Sequence, residues 1–369
     1  MKTTRRLHDL HDLGQSLWLD NITRELLTSG TLGRYISDFA VTGLTSNPTI
    51  FDKAIKQGGS YDEAIREKTM QGKSGEELFY ELALEDLIGA ADLFRPIHDA
   101  TGGVDGWVSL ELSPTLADDT HGSINSAVQL HARAKRPNLF IKIPGTRKGI
   151  AAIEETIFAG VPVNVTLLFS REQYIATAEA YMRAIERRIA AGLDPKVDSV
   201  ASLFVSRWDV AVNDKISNPL RNRLGIAIAR RTYKAYRDLL ASPRWLKLAA
   251  SGARPQRFAL GQHRHEGPGR IRDLVRGSAR GSGYDQHYAG KDIACVRRAR
   301  PGKRCAAARR RRRRRSGRRF CARRRQCRNA GCRSPAGGHR IFQQVVARSV
   351  GLHRIESALV NKADQAGRN

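Results

Sequence analysis

The chain has 369 residues and a formal net charge of +28, which is unevenly distributed along the sequence. Residues 1–257 contain 34 Lys and Arg against 30 Asp and Glu, whereas residues 258–369 contain 30 against 6. The first 294 residues lack cysteine, and no run approaches the roughly 18 apolar residues that a membrane span needs. These features exclude a disulfide scaffold in that part and predict a cytoplasmic protein with no membrane association.

Residues 1–257 alternate short apolar runs with amphipathic stretches. Runs of this length are typical of buried strands, and they are Leu17–Ile22, Val41–Thr45, Trp107–Leu112, Leu139–Ile143, Val161–Leu168 and Val200–Val205. Strands that alternate with helices pair in parallel, which favours a (β/α)8 TIM-type barrel or a doubly wound sheet. No Gly-rich dinucleotide fingerprint follows the first run, which favours the barrel.

Three long helices are predicted between the strands. One runs from about Gly75 to Leu93, a second follows Ser170, and a third spans roughly Leu224 to Leu240. Ser74 and Ser170 each precede a Glu or Gln by three residues, which is the capping-box pattern of a helix start. The segment from about Phe51 to Asp105 is long for one crossover, so we expect additional helices outside the barrel.

Lys142 is the one charge inside the apolar run NLFIKIPGT (Asn138–Thr146). Burial removes the hydration of an ammonium group and so favours the neutral amine. A neutral amine is a nucleophile that forms Schiff bases with carbonyl compounds. The alternative is a structural lysine at a strand end, which extends to solvent or pairs with a carboxylate.

The neighbours of Lys142 favour the catalytic interpretation. Each of the six predicted strands carries polar residues at or just beyond its carboxyl end. In a barrel these ends converge on one mouth, where the active site lies. The residues are Asp20, Asn47, Glu111, Lys142, Asn164 with Thr166, and Ser202 with Arg207.

Two segments, VTGLTSNPTIF (Val41–Phe51) and NLFIKIPGT, resemble the signature segments of the transaldolase family. VPVNVTLLFS (Val161–Ser170) and VASLFVSRWD (Val200–Asp209) are also similar to that family. The resemblance covers roughly residues 10–257 and is closest to the longer bacterial subtype. It implies Schiff-base transfer of a dihydroxyacetone unit in the pentose phosphate pathway. The donor would be sedoheptulose 7-phosphate or fructose 6-phosphate, and the acceptor an aldose phosphate.

The resemblance also implies roles for the polar residues. Lys142 would form the Schiff base and Asp20 would act as general acid and base. Glu111 and Thr166 would hold and activate the catalytic water. The implied substrate-binding residues are Asn47, Asn164, Ser202 and Arg207. The family's reaction requires no metal or cofactor, and sugar phosphates are the expected partners.

The sequence departs from the family after about residue 257. We therefore predict a barrel domain of about six β/α units over residues 1–257. The last two units are expected to be lost or replaced by an Arg-rich irregular tail over residues 258–369. The tail contains seven consecutive arginines, Arg309 to Arg315, and a frameshift is one hypothesis for its composition. The alternative function is an inactive, truncated barrel whose basic tail binds nucleic acid non-specifically. The cysteines lack CxxC spacing, so no metal site is predicted.

Overall fold

The computed structural model describes residues 2–57, 59–262 and 293–297. In these residues eight strands alternate with helices along the chain. The strands are β1 (Gln15–Asp20), β2 (Val41–Thr45), β3 (Trp107–Glu111), β4 (Leu139–Pro144), β5 (Val163–Leu168), β6 (Ser199–Phe204), β7 (Arg257–Gln262) and β8 (Ile293–Arg297). The six strands predicted from the sequence are therefore confirmed, with bounds that differ by at most two residues.

Twelve α-helices accompany the strands in the described residues, together with four short 3-10 turns. The helices are α1 (Lys2–Asp12), α2 (Arg24–Thr28), α3 (Thr31–Phe39), α4 (Pro48–Gln57), α5 (Asp62–Met70), α6 (Gly75–Ala100), α7 (Thr120–Ala134), α8 (Arg147–Phe158), α9 (Arg171–Ala190), α10 (Ser206–Val212), α11 (Leu224–Leu240) and α12 (Pro243–Ala250). Helices α4 and α5 lie in the long crossover between β2 and β3, as predicted. No helix in the described ranges has the length and apolar character needed to span a membrane.

The strands pair in parallel and in chain order to form a closed barrel. This confirms the (β/α)8 TIM-type architecture. The expectation that the barrel stops after six strands is not met. Strand β7 pairs with β6 from Arg257 to Gly261, and β8 pairs with both β7 and β1. Three residues, Phe258 to Leu260, supply enough apolar surface for a short strand, because all three are buried.

The two predicted capping boxes have different outcomes. Ser170 accepts a hydrogen bond from the Gln173 amide, and the Gln173 side chain accepts one from the Ser170 amide, so the box at the start of α9 is confirmed. The box predicted at Ser74 is wrong, because no side-chain hydrogen bond caps α6. There Glu77 pairs with Lys73 instead of turning back to the helix start.

An aromatic layer fills the middle of the barrel. Residues from five strands contact one another there, and they are Trp18, Trp107, Phe140, Val200 and Ala259. The Phe140 ring stacks on Trp107 with 4.0 Å between ring centroids. The centroid of the Trp18 ring lies 6.1 Å from that of Phe140, with an angle of 29° between the two ring planes. Since all five side chains are at most 2% exposed, the barrel interior is packed rather than open.

A buried ion pair lies below the aromatic layer, at the amino ends of the strands. Arg257 Nη1 is 3.2 Å from Asp105 Oδ1, and its Nη2 donates to Ser16 Oγ at 2.7 Å. Ser16 and Arg257 each lie two residues before a member of the aromatic layer, so the strand pleat directs them inward too. A charge at the start of β7 is therefore compatible with the barrel interior, because Asp105 neutralises it.

Candidate active site

Polar side chains form the next layer, on the carboxyl side of the aromatic layer. Asp20 lies two residues beyond Trp18, and Lys142 two residues beyond Phe140. Because side chains two residues apart share one face of a strand, both polar groups point into the barrel. Asp20 and Lys142 are 5% and 6% exposed. The predicted residues at these strand ends thus lie inside the mouth of the barrel.

The strand register brings three of the predicted residues side by side. Glu111 on β3 is opposite Lys142 on β4, and Lys142 is opposite Asn164 on β5. Thr166 is opposite Pro144, one step closer to the mouth. Neighbouring strands lie about 4.8 Å apart, so these functional groups are within reach of one another across the strand ends.

Lys142 contacts two oxygen atoms. Its Nζ is 2.8 Å from Glu111 Oε2 and donates a hydrogen bond to the Ser46 carbonyl at 3.2 Å. Both the lysine and the carboxylate are largely withdrawn from solvent, with side chains 7% and 17% exposed. The two groups form a close ion pair, whose angles depart from those of a hydrogen bond.

Asn164 on β5 is held by hydroxyl groups of β3 and β6. Its Nδ2 donates to Ser109 Oγ at 3.0 Å, and its Oδ1 accepts from Ser202 Oγ at 2.8 Å. The two hydroxyls hold the amide from opposite ends. Asn164 is 1% exposed, so the amide is a rigid polar element beside the lysine.

Thr166 lies in a local irregularity of β5. The register with β6 shifts between Val165 and Leu168, and Leu167 between them has a positive φ of 59°. Such a conformation is costly for a residue with a branched side chain and clusters at functional sites. Thr166 Oγ1 is fully buried, and no hydrogen-bond partner for it exists among the described residues.

Asn47 and Arg207 lie at the edge of this cluster. The Asn47 Oδ1 accepts the Ile50 amide at 3.0 Å and so caps the first turn of α4. Arg207, in the first turn of α10, is exposed, and its guanidinium lies 5.2 Å from the Phe204 ring centroid. The structure therefore groups the other six predicted residues at the carboxyl ends of the strands, with Asn47 just before α4 and Arg207 in the first turn of α10.

Three polar residues of this layer were not predicted from the sequence. Thr45, Ser46 and Ser109 are each at most 3% exposed. Ser109 contacts Asn164, and Ser46 contacts Lys142. The two-residue strand period was the available signal, because Ser109 lies two residues before Glu111 and Thr45 lies two residues before Asn47.

Tyr80 of α6 lies behind Glu111. Burial raises the pKa of the Tyr80 phenol, and the negative charges of Glu76 and Glu111 raise it further. The phenol is therefore neutral at physiological pH. Glu111 consequently faces an uncharged group on this side, and Lys142 is the charge beside it on the other.

The fold and this cluster place the chain among the (β/α)8-barrel enzymes, whose active sites lie at the carboxyl ends of the strands. Residues 17–254 match the family described as transaldolase/fructose-6-phosphate aldolase. A transaldolase of Saccharopolyspora erythraea is 44% identical over 263 residues, which cover 70% of this chain and 71% of that protein. The transaldolase of Thermobifida fusca is also 44% identical, over 68% of this chain and 70% of its own length. The transaldolase of Trichodesmium erythraeum is 40% identical, over 69% and 71%.

The chain belongs to the transaldolase/fructose-6-phosphate aldolase family. The resemblance seen in the sequence is thereby confirmed, and the chain is an enzyme of the transaldolase class. The family match ends at residue 254, close to the predicted change in composition.

Proposed function

We propose that this enzyme transfers a dihydroxyacetone unit from a ketose phosphate to an aldose phosphate through a Schiff base on Lys142. The donor is fructose 6-phosphate or sedoheptulose 7-phosphate, as in the pentose phosphate pathway. The observation that carries the proposal is the buried Lys142 beside Glu111 at 2.8 Å, in the mouth of the barrel. This contact gives the lysine a partner that can accept its proton before attack.

In the proposed first step, Glu111 accepts a proton from Lys142 and the neutral amine attacks the ketone carbon of the donor. The carbinolamine oxygen then takes up a proton and leaves as water, which forms the protonated imine. Glu111 lies close enough to return the proton for this step. We assign the catalytic water to Thr166, which is buried on β5 two residues beyond Asn164.

In the second step, Asp20 removes the proton from the hydroxyl on the carbon beyond the bond that breaks. Electrons of the broken carbon–carbon bond move to the iminium nitrogen, so an aldose phosphate leaves and an enamine remains on Lys142. The acceptor aldose reacts by the reverse steps, in which Asp20 returns the proton. Hydrolysis of the imine then regenerates the free lysine. Asp20 is buried on β1 two residues beyond the buried Trp18, which supports a fixed position for this base.

Binding of the substrate follows from the remaining polar groups. Asn164 and Ser202 form a preoriented pair that suits hydroxyl groups of the dihydroxyacetone unit. Asn47 has its side-chain oxygen engaged with α4, so its amide hydrogens are the groups we assign to the substrate. Arg207 in the first turn of α10 suits the phosphate, because a guanidinium offers paired donors and a permanent charge.

Chemical trapping tests this proposal. The protein is incubated with fructose 6-phosphate and treated with borohydride, and the modified peptide is identified by mass spectrometry. The expected result is a reduced dihydroxyacetone adduct on Lys142, absent from the K142M variant. The matched control is K148M, which removes an exposed lysine of α8 and retains the adduct. An adduct on another lysine, or none on folded protein, contradicts the proposal.

The basic segment is a separate matter. The predicted tail of residues 258–369 lies outside the described residues, except for 258–262 and 293–297. Its frameshift origin and its binding of nucleic acid stay predictions from the sequence, as does a cytoplasmic location. The nucleic-acid prediction requires that the full chain binds random DNA in a salt-sensitive way. It also requires that a chain truncated at residue 299 loses this binding.

A further inference from the structure

Ser46 connects the reactive lysine to a neighbouring strand. It follows β2 directly and is 1% exposed. Its Oγ donates to the Ser109 carbonyl on β3 at 2.8 Å, and its backbone amide donates to the same carbonyl at 3.3 Å. Its own carbonyl accepts the hydrogen bond from Lys142 Nζ at 3.2 Å.

These contacts fix the position from which the Ser46 carbonyl projects. Both donors of the residue are directed to one acceptor on β3, which holds the Ser46 Cα against that strand, and a shift of this Cα would displace the carbonyl attached to it. The bond from Lys142 is at the long end of the N–H···O range. A small rotation of the Ser46 carbonyl would therefore remove it.

Both oxygen atoms beside Lys142 Nζ are thus held by one strand. Glu111 belongs to β3, and Ser46 is fastened to β3 through the Ser109 carbonyl. A neutral amine has two hydrogens and one lone pair in roughly tetrahedral directions. When the hydrogens face these two oxygens, the lone pair is directed away from them.

We infer that the Ser46 hydroxyl is a positioning group that aims the lone pair of Lys142 at the incoming carbonyl carbon. The inference rests on the proposed Schiff-base function. The Ser46 hydroxyl touches neither substrate nor reacting atoms in this arrangement, and it acts through the carbonyl of its own residue. Loss of the hydroxyl leaves a single weak bond, from the backbone amide, to hold the residue against β3.

The test uses two variants of the full chain and one control. S46A removes the hydroxyl, and S46T keeps it. The control is S199A, because Ser199 Oγ also donates to a carbonyl of a neighbouring strand, that of Val163, at 2.8 Å and is 2% exposed. Ser199 begins β6, at the other end of the strand from the candidate site. Its Oγ also accepts a hydrogen bond from Gln256 Nε2 at 3.0 Å, so S199A sets an upper limit on the stability cost of losing one such bond.

Two rates are measured on each variant. The first is borohydride trapping of fructose 6-phosphate on Lys142 in a single turnover. The second is reductive methylation of Lys142 by formaldehyde and cyanoborohydride, normalised to the exposed Lys148 in the same sample. The second rate needs only a nucleophilic lysine, so it still tests the positioning role if no sugar adduct forms and the proposed function fails.

The expected result is a loss of about 10- to 100-fold in both Lys142 rates for S46A, since misplacement of about 1 Å costs up to 100-fold. We expect S46T to remain within about fivefold of the parent and S199A to leave both rates unchanged. Urea unfolding should show a loss of stability for S46A that is no larger than the loss for S199A. The inference is overturned if S46A keeps both rates within twofold, or if S46T loses as much as S46A.

Discussion

Replacement of Phe140 by alanine is expected to destabilise the barrel strongly. Phe140 is 1% exposed and belongs to the aromatic layer beneath the candidate site. Its ring stacks on Trp107 at 4.0 Å, with an angle of 21° between the ring planes. Lys142 is two residues further along β4, so the same change also disturbs the support of the lysine.

The magnitude follows from burial and stacking. Removal of a buried phenylalanine side chain typically costs about 3–5 kcal/mol, because transfer free energy is lost and a cavity remains. A stacked aromatic pair contributes roughly 0.5–1.5 kcal/mol beyond area burial. The loss for Phe140→Ala should therefore lie in the upper half of the range of about 3–5 kcal/mol. Phe140→Leu keeps most of the volume, and we expect it to cost about 1.5 kcal/mol.

Urea unfolding followed by tryptophan fluorescence measures this loss. The midpoint should shift to lower urea for Phe140→Ala and shift less for Phe140→Leu, with no change in slope. Near-ultraviolet circular dichroism should also weaken, since Trp107 loses its stacked neighbour. A cost below about 1 kcal/mol for Phe140→Ala would refute the reasoning, because it would mean that the interior is not close-packed at this layer.

Three further changes have defined outcomes. Gly43→Ala should lower stability by about 1–3 kcal/mol in thermal unfolding, because a Cβ there would lie 2.6 Å from the Trp18 indole nitrogen. Arg254→Met should lower stability by about 1–3 kcal/mol at pH 7 and by less at pH 5. Burial raises the pKa of Asp198, whereas Arg254, 2.9 Å away, opposes that rise. Because the folded protein keeps a proton on Asp198 at pH values where the unfolded chain has lost it, the free energy of unfolding falls as the pH rises above the ordinary carboxyl pKa. Loss of Arg254 raises the pKa of Asp198 further, so this fall continues to a higher pH. Ser170→Ala should cost about 0.5–2 kcal/mol in urea unfolding, because it removes the cap of α9.

Matched variants distinguish these causes. Gly33→Ala, in α3, meets no atom within 4 Å and should be neutral or stabilising by up to about 1 kcal/mol. The double change of Arg254→Met with Asp198→Asn should remove the difference between pH 5 and pH 7, and a difference that persists would contradict the assignment to Asp198. Ser74→Ala should be silent within about 0.5 kcal/mol, since its side chain makes no cap bond. An equal loss at Ser74 and Ser170 would contradict the capping argument.

The sequence predicted the strands because each contains a short apolar run bounded by polar residues. It predicted the centre of the candidate site because the charged Asp20 and Lys142 interrupt two of those runs near their carboxyl ends. Small polar residues give no such signal. Ser46 and Ser109 resemble ordinary strand residues, and only their contacts with Lys142 and Asn164 distinguish them.

The seventh strand shows why composition misled the prediction. The charged Arg257 and the polar residues after Leu260 leave only three apolar positions, which is short for a strand pattern. In three dimensions Asp105 and Ser16 receive the arginine, from positions 152 and 241 residues away in sequence. No local pattern records partners at that distance, so tertiary contacts decide this segment.

The pairing of β1 with β8 has a consequence for synthesis on the ribosome. Strand β1 is complete at Asp20, but its second neighbour is made only when residues 293–297 have been added. At about 5–20 residues per second, the interval is roughly 15 to 55 s. Throughout that time one edge of β1 has no native neighbour and is available for pairing with other chains. Chaperone demand should therefore depend on the speed at which the last part of the chain is translated.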